Sequence, residues 1–197
     1  MDAALRDSDG GGIVTGTYVL HAAGYVDNGG PKVVTSRFDH EDSFTLERSL
    51  ATGGYEGLRA ALAMAPDDVH GQIREATLLG RGGAGFPAGV KWGFCPEGVW
   101  PRYLVVNGDE SEPGTYKDRL LMERDPHQLI EGCLIACYAL GLTQCFLYVR
   151  GEMALAQERV AAALNEAYPR VCGPGRDGDE ILGRHHAPLG RRCLHRG

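Results

Sequence analysis

The sequence contains no long hydrophobic run, no Cys-x-x-Cys pair and no Gly-X-Y repeat. No stretch approaches the roughly 18 apolar residues that a membrane span needs, and the acidic, polar N-terminus is unlike a secretory signal. We therefore expect no direct membrane insertion. The net charge of −6 disfavours a nucleic-acid partner, because proteins that bind phosphate backbones usually carry basic surfaces.

The six cysteines do not form a recognisable metal-binding pattern. Cys133 and Cys137 are one helical turn apart on an otherwise apolar face, which favours buried core thiols over a metal pair. Cys145 lies within a predicted strand and is interpreted in the same way. Without a recognisable secretory signal, reduced thiols are the expected state, and we predict no metal site.

Glycine is the residue in excess, with 29 of 197 positions, about twice its usual share. Apolar residues still make up 43% of the chain, which argues against wholesale disorder. The extra glycine is therefore expected in loops that need close backbone approach, or in tails.

The composition predicts three segments. Residues 1–32 are rich in Gly, Asp and Ala and predict a flexible leader. Residues 33–169 carry the periodic apolar pattern of a folded domain. Residues 170–197 hold six Arg against three acidic side chains, and we expect them to form an aberrant, disordered basic tail.

The order of predicted elements is typical of an α/β layered domain. Asp125 followed by Pro126 has the pattern of a helix start, and Gly141 can end that helix. The predicted elements are a short strand over Lys32–Arg37, helices from Tyr55 and from Pro66, buried strands over Arg102–Asn107 and Gln144–Arg150, and helices over Asp125–Gly141 and Met153–Tyr168.

The densest glycine run begins at Gly80. Gly80, Gly82 and Gly85 match G-x-G-x-x-G, but the segment before them predicts a helix, whereas the Rossmann fingerprint requires a strand. A Walker A loop is excluded because no Gly-Lys-Ser/Thr follows. Exposed backbone N–H groups, with Arg81 and Lys91 nearby, can accommodate a phosphate or a flat ring. A tight structural turn is the alternative.

An acidic loop follows the first predicted buried strand. Asn107 ends that strand, where α/β sheets commonly bind ligands. Asp109, Glu110 and Glu112 then place three carboxylates within four residues. Such a loop can bind ribose hydroxyls, coordinate a cation or form a solvated turn, and spacing alone favours the turn. His127, near the start of its helix, is expected to be a surface residue rather than a base.

Two long motifs resemble one known family. They are Gly80-Arg-Gly-Gly-Ala-Gly-Phe-Pro-Ala-Gly-Val-Lys-Trp92 and Asn107-Gly-Asp-Glu-Ser-Glu-Pro-Gly-Thr-Tyr-Lys-Asp-Arg119. The family is the NADH-binding (51 kDa, F) subunit of NADH:quinone oxidoreductase, respiratory complex I. Asp125–Cys133 and Tyr148–Glu152 continue the resemblance. It implies the N-terminal part of the FMN-binding domain, a Rossmann-like layered α/β fold, here incomplete.

The resemblance also implies an activity and a site. The family binds FMN and NADH in one cleft, passes hydride from NADH to FMN and sends electrons on to a 4Fe–4S cluster. Flavin chemistry needs ring placement and electrostatics from the protein, so we nominate no acid–base catalyst. The implied cofactor-binding residues are a backbone cradle of Gly80, Arg81, Gly82, Gly83 and Gly85, the adenine-stacking rings Phe86 and Phe94, Lys91 on cofactor oxygens, Asn107, Asp109 and Glu110 on FMN, and Glu112 facing NADH.

The sequence also departs from the family. The family's later flavin segment and its cluster-binding cysteines have no counterpart here, so we expect half of the FMN/NADH site and weak FMN binding. Codons allowed for Gly190–Gly197, read one nucleotide later, can spell a segment like the missing one. We therefore expect a reading-frame slip between about Tyr168 and Arg184, with a natural basic tail as the alternative.

The family implies partners and a location. The expected partners are NADH and other peripheral-arm subunits, especially the 2Fe–2S subunit, with the complex on the cytoplasmic side of the inner membrane. One alternative function is a non-catalytic nucleotide-binding or assembly fragment. Another is the flavoprotein subunit of an NAD-linked hydrogenase or formate dehydrogenase.

Overall fold

The structure is a computed structural model that describes residues 31–96 and 98–172. The predicted leader 1–32 and tail 170–197 lie almost wholly outside the described residues, as does most of the window for the frame slip. All elements below belong to the unit Thr35–Gly197. In chain order they are α1 (Leu46–Ala51), α2 (Glu56–Leu62), α3 (Pro66–Glu75), α4 (Ala88–Trp92), β1 (Tyr103–Gly108), α5 (Lys117–Arg124), α6 (Pro126–Ala139), β2 (Gln144–Val149), α7 (Ala154–Ala167) and a π-helical turn (Tyr168–Cys172).

The two strands form a small parallel sheet. Tyr103 lies opposite Gln144 at one end of the pair, and Gly108 lies opposite Val149 at the other. Parallel strands need a long crossover connection, and α5 with α6 supplies it. The prediction of an α/β domain is confirmed by this mixed architecture.

Helix α6 forms the centre of the core. Ile130, Leu134 and Cys137 have no exposed surface, and α7 and α2 pack against this helix. The helix begins where sequence predicts, because the Asp125 side chain accepts a hydrogen bond from the Gln128 N–H at 3.2 Å. The helix ends at Ala139, shortly before Gly141. Gly141 has φ +60°, a conformation that favours glycine.

The predicted strand at Lys32–Arg37 is wrong, because this segment forms turns. The Phe38 N–H donates to the Thr35 carbonyl at 3.1 Å, and the His40 N–H donates to the Arg37 carbonyl at 3.1 Å. The Arg37 side chain also reaches the buried Asp125, so a tertiary contact holds the segment in a turn. The short helices α1, α4 and α5 were not predicted.

The two strands are buried on one face and exposed on the other, so the prediction of buried strands is confirmed for the inner face only. Val105 is 67% exposed and Tyr148 is 60% exposed, and both lie on the outer face. Their neighbours Tyr103 and Phe146 contact each other edge to face, with ring centroids 5.7 Å apart. Among the described residues, α6 packs against both strands, whereas the outer-face side chains stay exposed.

His127 is fully buried, so its predicted place at the surface is wrong. Its Nδ1 lies 2.8 Å from the Tyr55 hydroxyl, and its Nε2 lies 3.2 Å from the Glu166 carboxylate. The same carboxylate accepts the Leu46 N–H at 2.7 Å. Burial lowers the pKa of His127, against the hydrogen bond to Glu166 that raises it. The ring thus links α6 to Tyr55, just before α2, and to Glu166 of α7, and Glu166 in turn binds the start of α1.

The predicted core positions of Cys133, Cys137 and Cys145 are confirmed. Cys133 and Cys145 are buried free thiols, and Cys95 is a free, half-buried thiol. The hydrogen bond with Cys145 and burial both raise the pKa of Cys133. Cys137 is disulfide-bonded, so the expected reduced state is wrong at this position.

In the described ranges, no helix has both the length and the apolar character that crossing a bilayer requires.

Candidate functional site

Residues 78–88, the glycine loop, form a closed loop between α3 and α4. The Ala88 N–H donates to the Leu78 carbonyl at 2.7 Å, and the Gly80 N–H donates to the Phe86 carbonyl at 2.8 Å. A helix, not a strand, precedes the loop. The rejection of a Rossmann fingerprint is therefore confirmed, since that motif opens directly from a strand.

The tip of the glycine loop is open. A Cβ placed on Gly82, Gly83 or Gly85 would meet no heavy atom within 4 Å. Gly83 has φ +110° and Gly85 has φ +64°, a region that residues with side chains rarely adopt. Gly80 differs, because a Cβ there would lie 3.3 Å from the Phe86 carbonyl oxygen. The tip leaves room for a ligand to approach the backbone.

Residues 109–112, the acidic loop, leave the carboxyl end of β1 through a tight turn. The Asn107 side-chain oxygen accepts the Asp109 N–H at 2.9 Å. The Ser111 hydroxyl then donates to the Asp109 carboxylate at 2.8 Å. An Asn side chain that mimics a backbone turn in this way fixes the direction of the loop. Asn107 therefore has a local structural role.

Glu110 holds the other end of the acidic loop. Its side chain is 2% exposed, and its carboxylate accepts the N–H groups of Asp118 at 2.9 Å and Arg119 at 3.1 Å. These donors belong to the first turn of α5, where a negative charge is favourable. The Lys117 ammonium lies 3.8 Å from the same carboxylate.

The two loops face one cleft of about 810 Å³. The structure therefore brings together residues that are far apart in sequence. Eight of the predicted site residues line the cleft: Arg81, Gly82, Gly83, Lys91, Asn107, Asp109, Glu110 and Glu112. Four further lining residues were missed, although they lie within or beside the quoted acidic motif: Ser111, Thr115, Lys117 and Asp118.

The remaining four predicted residues do not line this cleft. Gly80 and Gly85 lie within the glycine loop but outside the lining. Phe86 and Phe94 form a ring pair with centroids 6.0 Å apart and an interplanar angle of 46°. They are 47% and 69% exposed, so the pair is available at the surface.

The glycine loop and α4 contribute positive charge to the cleft lining, and the acidic loop contributes negative charge. Among the described residues, Arg81 and Lys91 make no ion pair or side-chain hydrogen bond, and neither does the Glu112 carboxylate. The other carboxylates of the lining are engaged within the protein. Unpaired cations beside open backbone N–H groups are what a phosphate needs, so these residues fit the phosphate end of a nucleotide.

A smaller cavity of about 190 Å³ adjoins the cleft. It shares Asn107 and Asp118 with the cleft, and its walls are mainly apolar, with Leu121, Met122 and Leu147 among them. It lies where α5 and α6 pack beside the carboxyl ends of the strands. The cleft thus has an apolar recess next to its polar surface.

The described residues do not fit an iron–sulfur cluster. Within these ranges, no three His, Cys, Asp or Glu side chains come together as a metal-binding group. Cys133 and Cys145 lie in the core rather than around an open site.

A known family model matches the region that contains both loops. The family model described as the Nuo51 FMN-binding domain matches residues 73–176, more than half of the chain, and both loops lie within the match. The chain belongs to this family. The matched region starts in α3 and continues beyond α7, so it also contains both strands.

Two curated relatives agree with this membership. The chain is 51% identical over 152 residues to the NADH-quinone oxidoreductase F subunit of Streptomyces coelicolor, covering 77% of this chain and 33% of that protein. It is 47% identical over 138 residues to an NADH-quinone oxidoreductase F subunit of Rhizobium meliloti, covering 69% of this chain and 33% of that protein. The chain therefore spans about a third of the length of these relatives.

A solved structure also matches. It is the crystal structure of an NAD⁺-reducing [NiFe]-hydrogenase in the H2-reduced state, with 43% sequence identity and a TM-score of 0.42. The match covers 50% of this chain and 19% of that one.

Proposed function

We propose that this chain carries the FMN- and NADH-binding half-site of an NADH:quinone oxidoreductase F subunit. One observation carries the proposal: the open glycine loop, with two unpaired cations, faces the same cleft as the acidic loop. The family's description as an FMN-binding domain supports the choice of flavin.

The positive side of the cleft would bind phosphate. The open backbone at Gly82 and Gly83 allows oxygen atoms to approach the N–H groups, and Arg81 and Lys91 add charge from two directions. Charge-assisted hydrogen bonds of this kind are stronger than neutral ones. These four residues would therefore provide most of the affinity for the phosphate of FMN.

The negative side would bind hydroxyl groups. Ionised carboxylates act only as acceptors, and ribose or ribityl hydroxyls are suitable donors. Asp109 and Glu112 would take this role, with Glu112 towards NADH. We assign Glu110 to support of the loop rather than to direct contact, because its carboxylate already accepts two N–H groups.

The exposed pair Phe86 and Phe94 would stack with the adenine of NADH, since offset contact between flat rings is favourable. FMN itself would supply hydride acceptance, which amino-acid side chains cannot provide. The task of the chain is to bind and orient the two nucleotides. No side chain is required as an acid or a base.

The curated relatives, which are F subunits of an NADH-quinone oxidoreductase, support a wider proposal about partners and location. We place the chain with other peripheral-arm subunits of the complex, including the small 2Fe–2S subunit, on the cytoplasmic side of the inner membrane. The 4Fe–4S cluster that receives the electrons would need residues beyond those that the structure describes.

Titration of the purified 197-residue chain with FMN, followed by addition of NADH without oxygen, tests the proposal. We expect quenching of flavin fluorescence on binding and loss of the flavin absorption band on addition of NADH. Lys91→Gln should weaken FMN binding about tenfold through loss of a charged donor, whereas Arg74→Gln, on the exposed surface of α3, should not. Binding without NADH-driven bleaching would favour a non-catalytic nucleotide-binding module, and no binding would contradict the proposal.

A further inference from the structure

We propose that Arg150 is a positioning residue of the cleft, which holds the acidic loop in place without lining the cleft itself. The effect of Arg150 on cofactor binding rests on the proposed function, but the contacts of Arg150 do not depend on any ligand. Arg150 directly follows β2, and its Nη1 donates to the Glu110 carbonyl at 3.2 Å. Its Nε lies 3.9 Å from the Asp109 carboxylate.

The position of Arg150 follows from the register of the sheet. Gly108, the last residue of β1, pairs with Val149, the last residue of β2. The guanidinium therefore lies beside the point where the acidic loop leaves β1. The Arg150 backbone is held as well, because its carbonyl accepts the Met153 N–H at 3.1 Å and the Gln157 side chain at 2.8 Å.

Glu110 is thereby held from two sides. Its carbonyl accepts a hydrogen bond from Arg150, and its buried carboxylate accepts two N–H groups from the start of α5. A residue fixed at both its main chain and its side chain has little freedom. Asp109 and Glu112, on either side of it, are then presented to the cleft in a defined direction.

The chemistry requires arginine at this position. The guanidinium donates in several directions at once, and here it also contacts Glu152 at 3.1 and 3.3 Å. Lysine carries a single ammonium and cannot reproduce the planar arrangement of donors. The same guanidinium lies beside Asp109, so it offsets negative charge near the place proposed for an anionic cofactor.

Hydrogen–deuterium exchange of the ligand-free 197-residue chain tests the inference. The variants are Arg150→Gln, Arg150→Lys and the control Arg74→Gln. In Arg150→Gln we expect amides of residues 108–116 to exchange about fivefold faster, the equivalent of one lost hydrogen bond. Arg150→Lys should give a smaller increase. The exchange rate of the α6 amides should be unchanged in all three variants. In the Arg74→Gln control, the exchange rate of residues 108–116 should also be unchanged.

Two results would overturn the inference. One is unchanged exchange of residues 108–116 in both Arg150 variants while α6 stays protected. The other is faster amide exchange in both α6 and residues 108–116 in both variants, which would make Arg150 a general stability residue. FMN titration of the same proteins separates the two proposals: failure of the wild-type chain to bind FMN contradicts the proposed function alone, while loop exchange still decides the role of Arg150.

Discussion

At the scale of single residues, the adjacent positions Gly82 and Gly83 of the glycine loop separate ligand access from backbone strain. Gly82 and Gly83 both have empty space where a side chain would begin, but only Gly83 has a positive φ, +110°. A methyl group at Gly82 would therefore disturb a ligand and not the protein. At Gly83 it would disturb both.

We predict that Gly83→Ala lowers the free energy of unfolding by about 1–3 kcal/mol, because alanine is strained at this φ. Gly82→Ala should change it by less than about 0.5 kcal/mol. Both should weaken FMN binding, because the added methyl group restricts approach to the backbone. Urea unfolding and flavin fluorescence titration measure the two effects. Unchanged FMN affinity in Gly82→Ala would favour the alternative that the loop is only a structural turn.

His127 makes stability depend on pH. Burial holds its pKa below the ordinary value of 6.5, so the unfolded chain takes up a proton at higher pH than the folded chain does. The stability present above about pH 6.5 is therefore lost as pH falls towards the folded-state pKa.

Urea unfolding at about pH 5.5 and about pH 7.5 checks this dependence. The wild-type chain should lose more stability on acidification than His127→Gln, which cannot take up the proton. His40→Gln, in a turn outside the Tyr55 and Glu166 network, serves as the matched control and should behave like the wild type. An equal loss in the wild type and His127→Gln would show that other groups cause the dependence.

At the scale of elements, the start of α6 depends on one buried carboxylate. Asp125 has a fully buried side chain, accepts the Gln128 N–H, and pairs with Arg37 through an Nε–Oδ2 distance of 2.7 Å. It thus begins the central helix and also fixes the turn segment that the sequence predicted to be a strand.

We predict that Asp125→Ala lowers the free energy of unfolding by about 3–5 kcal/mol, because it leaves the Arg37 charge buried without a partner. Asp42→Ala is the matched control, since it breaks a pair with Arg48 at the surface, where ion pairs contribute little. Chemical denaturation of the three proteins gives the comparison. Similar losses in both variants would contradict the proposed importance of burial.

At the scale of the whole molecule, the outer face of the sheet stands out. Adjacent residues Val105 and Val106 point to opposite faces: Val105 is 67% exposed, whereas Val106 packs against the core. Parallel sheets are normally covered on both faces. The exposed side also carries the Tyr103 and Phe146 rings, so it should bind apolar probes.

We predict that the chain binds an apolar dye such as ANS at this face. Val105→Thr should reduce the dye fluorescence and change the free energy of unfolding by less than about 0.5 kcal/mol. Val106→Thr, the matched control, should instead cost about 1–3 kcal/mol, because it places a hydroxyl against the core. Equal stability of the two variants would contradict the assignment of the faces.

The sequence by itself determined the α/β class, the main elements after residue 55 and the family, because these depend on local signals: apolar period, helix caps such as Asp125, and two uninterrupted motifs. The candidate residues were also nominated from sequence, and their binding roles stay predictions. The geometry of the common cleft came from the tertiary structure, because one loop connects α3 to α4 and the other follows β1, and local patterns do not specify how these separate elements pack. The tertiary structure also decided that His127 is buried and that Arg37 lies in a turn. Both placements depend on contacts with residues distant in sequence, which local sequence patterns do not indicate.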